Sequence, residues 1–147
     1  MVVVAAIDES DQARAVLSEA DTLAGQFGDP IHVLHVMNRS EAIQAEEDSL
    51  AHTDKAIPVD DLRARAATVA EELTKAHSTD AQAITAGRIG DPASEIVSYA
   101  DEHDARYIIV SPQQRSQTGK ILFGSVAQSV LLDAGCPVVS LRARSAE

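Results

Sequence analysis

Val2-Val3-Val4-Ala5-Ala6-Ile7-Asp8 stands at the head of the chain, an aliphatic run that stops at a carboxylate. The run from Val2 to Ile7 is too short for a helix and rich in Val, which predicts a buried strand. Apolar and polar residues do not alternate along it, so both of its faces are expected to be covered. Strands of that kind belong to parallel sheets with helices on each side. Ser10 or Asp11 then offers an N-cap. Ala13, Leu17, Ala20, Ala24 and Phe27 come next at spacings of three and four, the stripe of an amphipathic helix. Gly28 stands where a helix-terminating glycine belongs, and Pro30 comes soon after it.

The same alternation continues downstream. Ile31 to Met37 (IHVLHVM) reads as a second strand. Residues 38–58 (NRSEAIQAEEDSLAHTDKAIP) are polar, acidic and poorly periodic, and read as an extended connection, long for a compact domain. Asp60 or Asp61 caps the next helix, whose stripe is Leu62, Ala66, Val69, Leu73 and Ala76. Ala81 to Ile89 is a third, more polar strand. In the turn Gly90-Asp91-Pro92, Asp91 is the expected N-cap and Pro92 the first helical residue. Ala93, Ile96, Val97 and Ala100 then give the inner face of that helix. Arg106 to Ser111 (RYIIVS) is the fourth strand. A polar loop, Pro112 to Lys120, runs into Ile121-Leu122-Phe123-Gly124. A last helix is expected from Ser125 to Ala134, ended by Gly135, with Pro137 to Leu141 (PVVSL) as the fifth strand. Strands alternating with helices imply parallel pairing through right-handed crossovers. The expected fold is α/β, a five-stranded parallel sheet with helices on both faces, in one domain over residues 1–147.

Composition agrees with that class. At 147 residues, a domain buries roughly 70% of the surface its unfolded chain would expose. Hydrophobic residues make up 45%, aromatics only 3%, and Trp is absent, so the core has to be built from Val, Ile, Leu and Ala. The net charge of −11 repels phosphate backbones and anionic lipid, which sets aside nucleic acid and membrane surfaces as partners. Nine of the 12 basic residues are Arg and three are Lys. An acidic, Lys-poor surface suits a halophilic protein, soluble in concentrated salt; a modestly acidic surface is also common in the cytosol. Cys136 is the one cysteine, so no intrachain disulfide forms. The start of the chain has no signal-peptide pattern, and no apolar run approaches the ~20 residues of a membrane span. The expected location is cytoplasmic.

In an open α/β sheet the ligand site lies outside the carboxyl ends of the strands, where strand order reverses. Asp8, closing the first strand, can accept hydrogen bonds from a ribose or an adenine amino group, or it can help to cap the first helix; position alone weighs the two equally. The loop after the fourth strand is the most informative stretch: Ser111-Pro112-Gln113-Gln114-Arg115-Ser116-Gln117-Thr118-Gly119-Lys120, then Phe123-Gly124-Ser125-Val126. It joins hydroxyls, cations and glycines and ends at a helix N-terminus, where backbone N–H groups and the helix dipole favour an anion. Ser125 can cap that helix or share its hydroxyl with a phosphate. Gly119-Lys120 imitates the end of a P-loop, but that motif needs Gly where Gln114 stands and Ser or Thr where Ile121 stands.

This loop resembles that of the universal stress protein family. The family pattern is Gly, two residues, Gly, nine residues, then Gly with Ser or Thr, leading into a helix and a Cys-Pro-Val-type strand. Here Arg115-Ser116, Gly119-Lys120, Phe123-Gly124-Ser125-Val126 and Cys136-Pro137-Val138-Val139 match, while Ser111 and Gln114 stand where the first two glycines belong. Val4 to Ser10 is similar to the family's first strand and Asp-x-Ser turn, Leu34-His35-Val36 to its second strand, and Gly90-Asp91-Pro92 with Ile96 to its Gly-x-Pro turn and helix. The resemblance implies an adenine-nucleotide alpha-hydrolase-like (Rossmann-like) three-layer sandwich. It also implies a nucleotide site for ATP, with Mg²⁺. In that site Asp8 and Val36 would face the nucleoside, and Arg115, Gly124, Ser125 and Val126 would face ribose and phosphates. Ser111, Gln114, Ser116, Gly119 and Lys120 complete the candidate set. The family's habit of pairing through the last strand implies a homodimer through Pro137 to Leu141, acting in the stress response and open to a further protein partner.

Two other functions stay open. In one, Ser111 and Gln114 close the pocket and the chain is a nucleotide-independent dimeric interaction module. In the other it is a slow ATP hydrolase; there the phosphoryl chemistry needs carboxylates around Mg²⁺, and Asp8 is the only one the sequence assigns to the site. A two-component receiver domain needs an Asp after an inner strand and a Lys after the last, but the second strand ends in Met37-Asn38 and the fifth in Leu141-Arg142. The remaining candidates read as structural. Cys136 is expected to pack as a small hydrophobe. His32 and His35, an odd number apart on a strand, point to opposite faces. His52, His77 and His103 read as surface residues.

Overall fold

The computed structural model describes residues 1–111, 114–115, 121–122 and 124–141, the two short pairs by their backbone alone. Five strands form one sheet, in the order β3-β2-β1-β4-β7: β1 (Val2–Ala6), β2 (Ile31–Met37), β3 (Ala83–Ile89), β4 (Ala105–Val110) and β7 (Val138–Ser140). Every pairing in it is parallel, with Val4 opposite His32 on one side and Ile108 on the other. The connections run through α1 (Ala13–Phe27), α2 (Arg39–Thr53), α3 (Val59–Lys75), α4 (Pro92–Glu102) and α5 (Ser125–Asp133). A separate antiparallel pair, β5 (Gln114–Arg115) and β6 (Ile121–Leu122), lies between β4 and α5. The expected fold class is therefore the one observed.

The two faces of the sheet arise from strand alternation. Val3, Ala5 and Ile7 point to one side, where Val16, Leu17, Ala20 and Ala24 of α1 and Ala70 of α3 meet them. Val4 points to the other, among Leu34, Ile96 and Ala100 of α4, and Ala127 and Val130 of α5. These layers contain few large side chains, and the many alanines let the helices sit close to the sheet. One close approach is at Gly87 of β3. A Cβ there would overlap the Ala67 nitrogen and the Arg63 carbonyl oxygen of α3, both of them backbone atoms that cannot swing aside.

Several boundaries differ from those expected. Residues 38–58 are not an extended connection, since α2 occupies most of them. It lacks an apolar stripe because only Ala42 is buried. It is held instead by local devices: Asn38 Oδ1 accepts from the Glu41 amide at 2.8 Å, Gln44 bonds Asp48, and Thr53 bonds the Ser49 carbonyl. Neither Asp60 nor Asp61 caps α3. Extended Pro58 holds that position, and both carboxylates fall in the first turn, where their charge suits the helix dipole. Gln12, rather than Ser10 or Asp11, occupies the N-cap of α1. The first strand stops at Ala6, the third starts at Ala83, the fourth spans Ala105–Val110, and the last covers only Val138–Ser140. Asp21 binds the Asp80 and Ala81 amides at 3.0 and 2.9 Å, which removes Ala81 from the strand.

Phe27 belongs to no buried stripe. It is 45% exposed and carries the Arg106 guanidinium 4.3 Å above its ring. Arg106 Nε also donates to Asp29 Oδ2 at 2.6 Å. Nor is His103 a plain surface residue. Its ring stacks on Tyr99 at 3.9 Å, and the Tyr99 hydroxyl in turn hydrogen-bonds His32 Nδ1 at 2.6 Å. Burial of His32, aided by the neighbouring His103, lowers its pKa below the ordinary value. Cys136 packs against the α4–α5 layer as expected, and burial raises its thiol pKa. Gly28 terminates α1 in the left-handed region at φ 69°, and Asp91 caps α4 through the Ser94 amide at 3.1 Å. Among the described residues, no helix is long and apolar enough to cross a membrane.

The packing is testable at two places. Gly87→Ala forces α3 off the sheet and is expected to destabilise the fold by about 3 kcal/mol in urea titration. Gly25→Ala, on a helix face with nothing within 4 Å of the new methyl, should be neutral or stabilising. Equal losses at the two positions would contradict the close approach. The second place is Asp29, whose bond to Arg106 holds its pKa below the ordinary 3.8. Such a carboxylate contributes stability above its unfolded pKa and loses it as the pH falls through the lower folded value. Asp29→Asn should therefore melt earlier than the parent chain at pH 7, with the gap closing as the pH drops below that of an ordinary carboxylate. A gap independent of pH would mean that the pair acts through packing alone.

Candidate functional site

The chain runs outward from β1 through β2 to β3, then returns to the other side of β1 for β4 and β7. Strand order therefore reverses between β1 and β4, and the crevice outside their carboxyl ends is where a ligand fits in this architecture. Asp8 lies just past β1 and half-buried Ser111 just past β4, so the topology puts both on this crevice. Helices that cross between parallel strands run back along the sheet. The N-termini of α1 and α5 accordingly lie at the same end as Asp8.

Asp8 is half-buried, and its Oδ1 accepts the Ser10 amide at 2.9 Å, an Asx turn. Ser10 Oγ accepts the Gln12 amide at 3.3 Å. Both roles open to Asp8 in the sequence survive: one oxygen shapes the turn into α1, and among the described residues Oδ2 makes no hydrogen bond. Val36, at the end of β2, is 9% exposed, and its side chain packs in the α4–α5 layer. Its side chain is thereby taken up by the core, which leaves its backbone as the part available to a ligand.

Side-chain capping is uneven among the helices: α1, α3 and α5 have none at their N-termini. Asn38 caps α2 and Asp91 caps α4 by side-chain hydrogen bonds. Gly124 occupies the N-cap of α5 in extended conformation (φ −65°, ψ 158°) and has no side chain with which to bond the first-turn amides. Ser125 thus does not cap α5. It is the exposed first residue, beside half-buried Val126. Among the described residues no side chain caps those amides, and the partial positive charge of the helix end favours an anion. Gln114 and Arg115 form β5. Their side chains, with Ser116, Gly119 and Lys120, lie outside the described residues. Among the described residues no group of three or more His, Cys, Asp or Glu side chains can hold a metal ion.

Sequence reasoning missed one polar residue beside this site. His35 is 5% exposed, and its Nδ1 lies 3.0 Å from the carbonyl oxygen of Ile7, the residue before Asp8. Its place in the aliphatic run IHVLHVM was the available signal, since a polar ring buried there needs a hydrogen-bond partner.

The model of the universal stress protein family matches residues 1–142. The chain belongs to the universal stress protein family. Universal stress protein YxiE of Bacillus subtilis is 26% identical over 142 residues, covering 93% of this chain and 95% of its own. Two further curated universal stress proteins align only locally, over 31% and 40% of their own lengths. Among solved structures, a universal stress protein from Archaeoglobus fulgidus is 29% identical, with a TM-score of 0.61 over 96% of this chain and 97% of that one. A universal stress protein from the same organism in complex with dAMP is 26% identical, with a TM-score of 0.56 and 96% coverage of each chain. Family membership and fold are thus established together.

Proposed function

We propose that this chain binds an adenine nucleotide, ATP in the first instance, across the carboxyl ends of β1, β2 and β4, and acts as a homodimeric regulatory module in the stress response. The observation that carries the reading is the N-terminus of α5, uncapped by any side chain at Gly124, at the same end of the sheet as the Asp8 carboxylate. One end can take phosphate and the other a ribose hydroxyl or an adenine amino group, so the pair matches the two ends of a nucleotide. The relative solved with dAMP supports the same ligand class. Asp8 and the backbone of Val36 would serve the nucleoside; Gly124, Ser125 and Val126 would serve the phosphates, together with Arg115 and its loop. Mg²⁺ would enter held chiefly by the phosphates, with Asp8 as the carboxylate this reading assigns to the site, so the reading stresses binding over rapid hydrolysis.

The dimer reading rests on the sheet edge. Among the described residues β7 pairs only with β4, which leaves its other edge open, and on the preceding helix Leu132 is 84% exposed. An open sheet edge is a surface that proteins usually cover.

Calorimetric titration of ATP with Mg²⁺, on protein sized by light scattering, tests both parts. Micromolar binding should weaken by about tenfold or more in Asp8→Ala, the loss of one charge-assisted hydrogen bond, and the scattering mass should be twice that of the chain. No heat at millimolar ATP would leave the nucleotide-independent module, with Ser111 and Gln114 closing the pocket. A monomeric mass would remove the dimer.

A further inference from the structure

The β1–β2 ladder ends in an unusual way. Ile7 still donates its amide to the Leu34 carbonyl at 2.9 Å. In a parallel ladder the next rung would bring the Val36 amide to the Ile7 carbonyl. Among the described residues that rung is absent, and the Ile7 carbonyl is met instead by the His35 ring at 3.0 Å. A carbonyl only accepts, so His35 Nδ1 carries the proton and donates. The ring is 5% exposed and has little freedom to turn away. Immediately beyond this carbonyl the chain leaves the sheet, and Asp8 Oδ1 takes the Ser10 amide at 2.9 Å.

We propose that His35 is a positioning residue for the nucleotide site: its imidazole holds the Ile7 carbonyl, ends the ladder there, and fixes the turn from which Asp8 is presented. The same replacement leaves the Val36 amide without its ladder acceptor among the described residues. His35 touches no ligand itself and acts through the backbone on either side of the Ile7–Asp8 peptide. The functional consequence rests on the nucleotide reading; the structural one does not.

Three variants separate the possibilities. His35→Leu removes the donor, His35→Asn returns an N–H near the Nδ1 position, and His35→Gln offers one near the Nε2 position instead. Two readouts are taken on each: the affinity for ATP with Mg²⁺ by calorimetry, and the Ser10 amide resonance by NMR, with the Ile108 and Ile109 amides as controls for an intact sheet. His35→Leu should shift the Ser10 resonance and weaken ATP binding on the order of tenfold. His35→Asn should restore both and His35→Gln neither. An unmoved Ser10 resonance in His35→Leu, or rescue by Gln as complete as by Asn, would overturn the proposal. If His35→Leu does not fold, the Asn and Gln variants decide the question. If the parent chain binds no ATP, the nucleotide reading fails on its own and the Ser10 resonance still decides the positioning role.

Discussion

Burial of β1 on both faces and both edges is the constraint on which the rest of the structure depends. Val3, Val4 and Ala5 are fully inaccessible to solvent, with β2 on one edge, β4 on the other, and a helical layer above and below. A strand in that position cannot slip in register without moving apolar side chains out of both layers. Its carboxyl end is therefore a fixed point, and the next two residues, Ile7 and Asp8, are held in space by the core. The reversal of strand order beside β1 then leaves a crevice at that fixed end. A carboxylate needed in one orientation is well placed at such a point.

Side-chain capping at the helix starts is not uniform: α1 and α3, like α5, have none. α2 and α4 satisfy their first-turn amides with Asn38 and Asp91. α5 has glycine at the same position and, among the described residues, no side-chain cap. Away from the crevice, the Asp29–Arg106 pair and the His32–Tyr99–His103 stack are mutually satisfied and read as structural. Among the described residues, the first-turn amides of α5 thus stand without a side-chain cap at the carboxyl end of the sheet.

Much of this was legible in the sequence, and the misses share a physical cause. β1, β2, α1 and α4 announce themselves through aliphatic runs, helical stripes, and the Gly28 and Asp91 signals, because their side chains are buried and periodicity records burial. α2 is held by Asn38 and by bonds within its own turns, with Ala42 its one buried residue, so no stripe marked it. The β5–β6 pair is two residues long on each side, too short to carry a period. Ser125 looked like a cap because its residue type favours one, yet the extended backbone one residue earlier gives that position to Gly124. His35 escaped notice because strand alternation states which face a ring points to and says nothing about the carbonyl it reaches. Of the candidate site, Asp8 and the start of α5 were singled out from the sequence; the hydrogen bond between His35 and the Ile7 carbonyl was not.

A crystal structure grown with ATP and Mg²⁺ tests the central claim most directly. The account predicts nucleotide density outside the carboxyl ends of β1 and β4, with its phosphates on the amides at the start of α5 and its nucleoside within hydrogen-bond distance of Asp8 Oδ2. Nucleotide bound elsewhere on the protein, with Asp8 and the α5 amides facing only water, would contradict it.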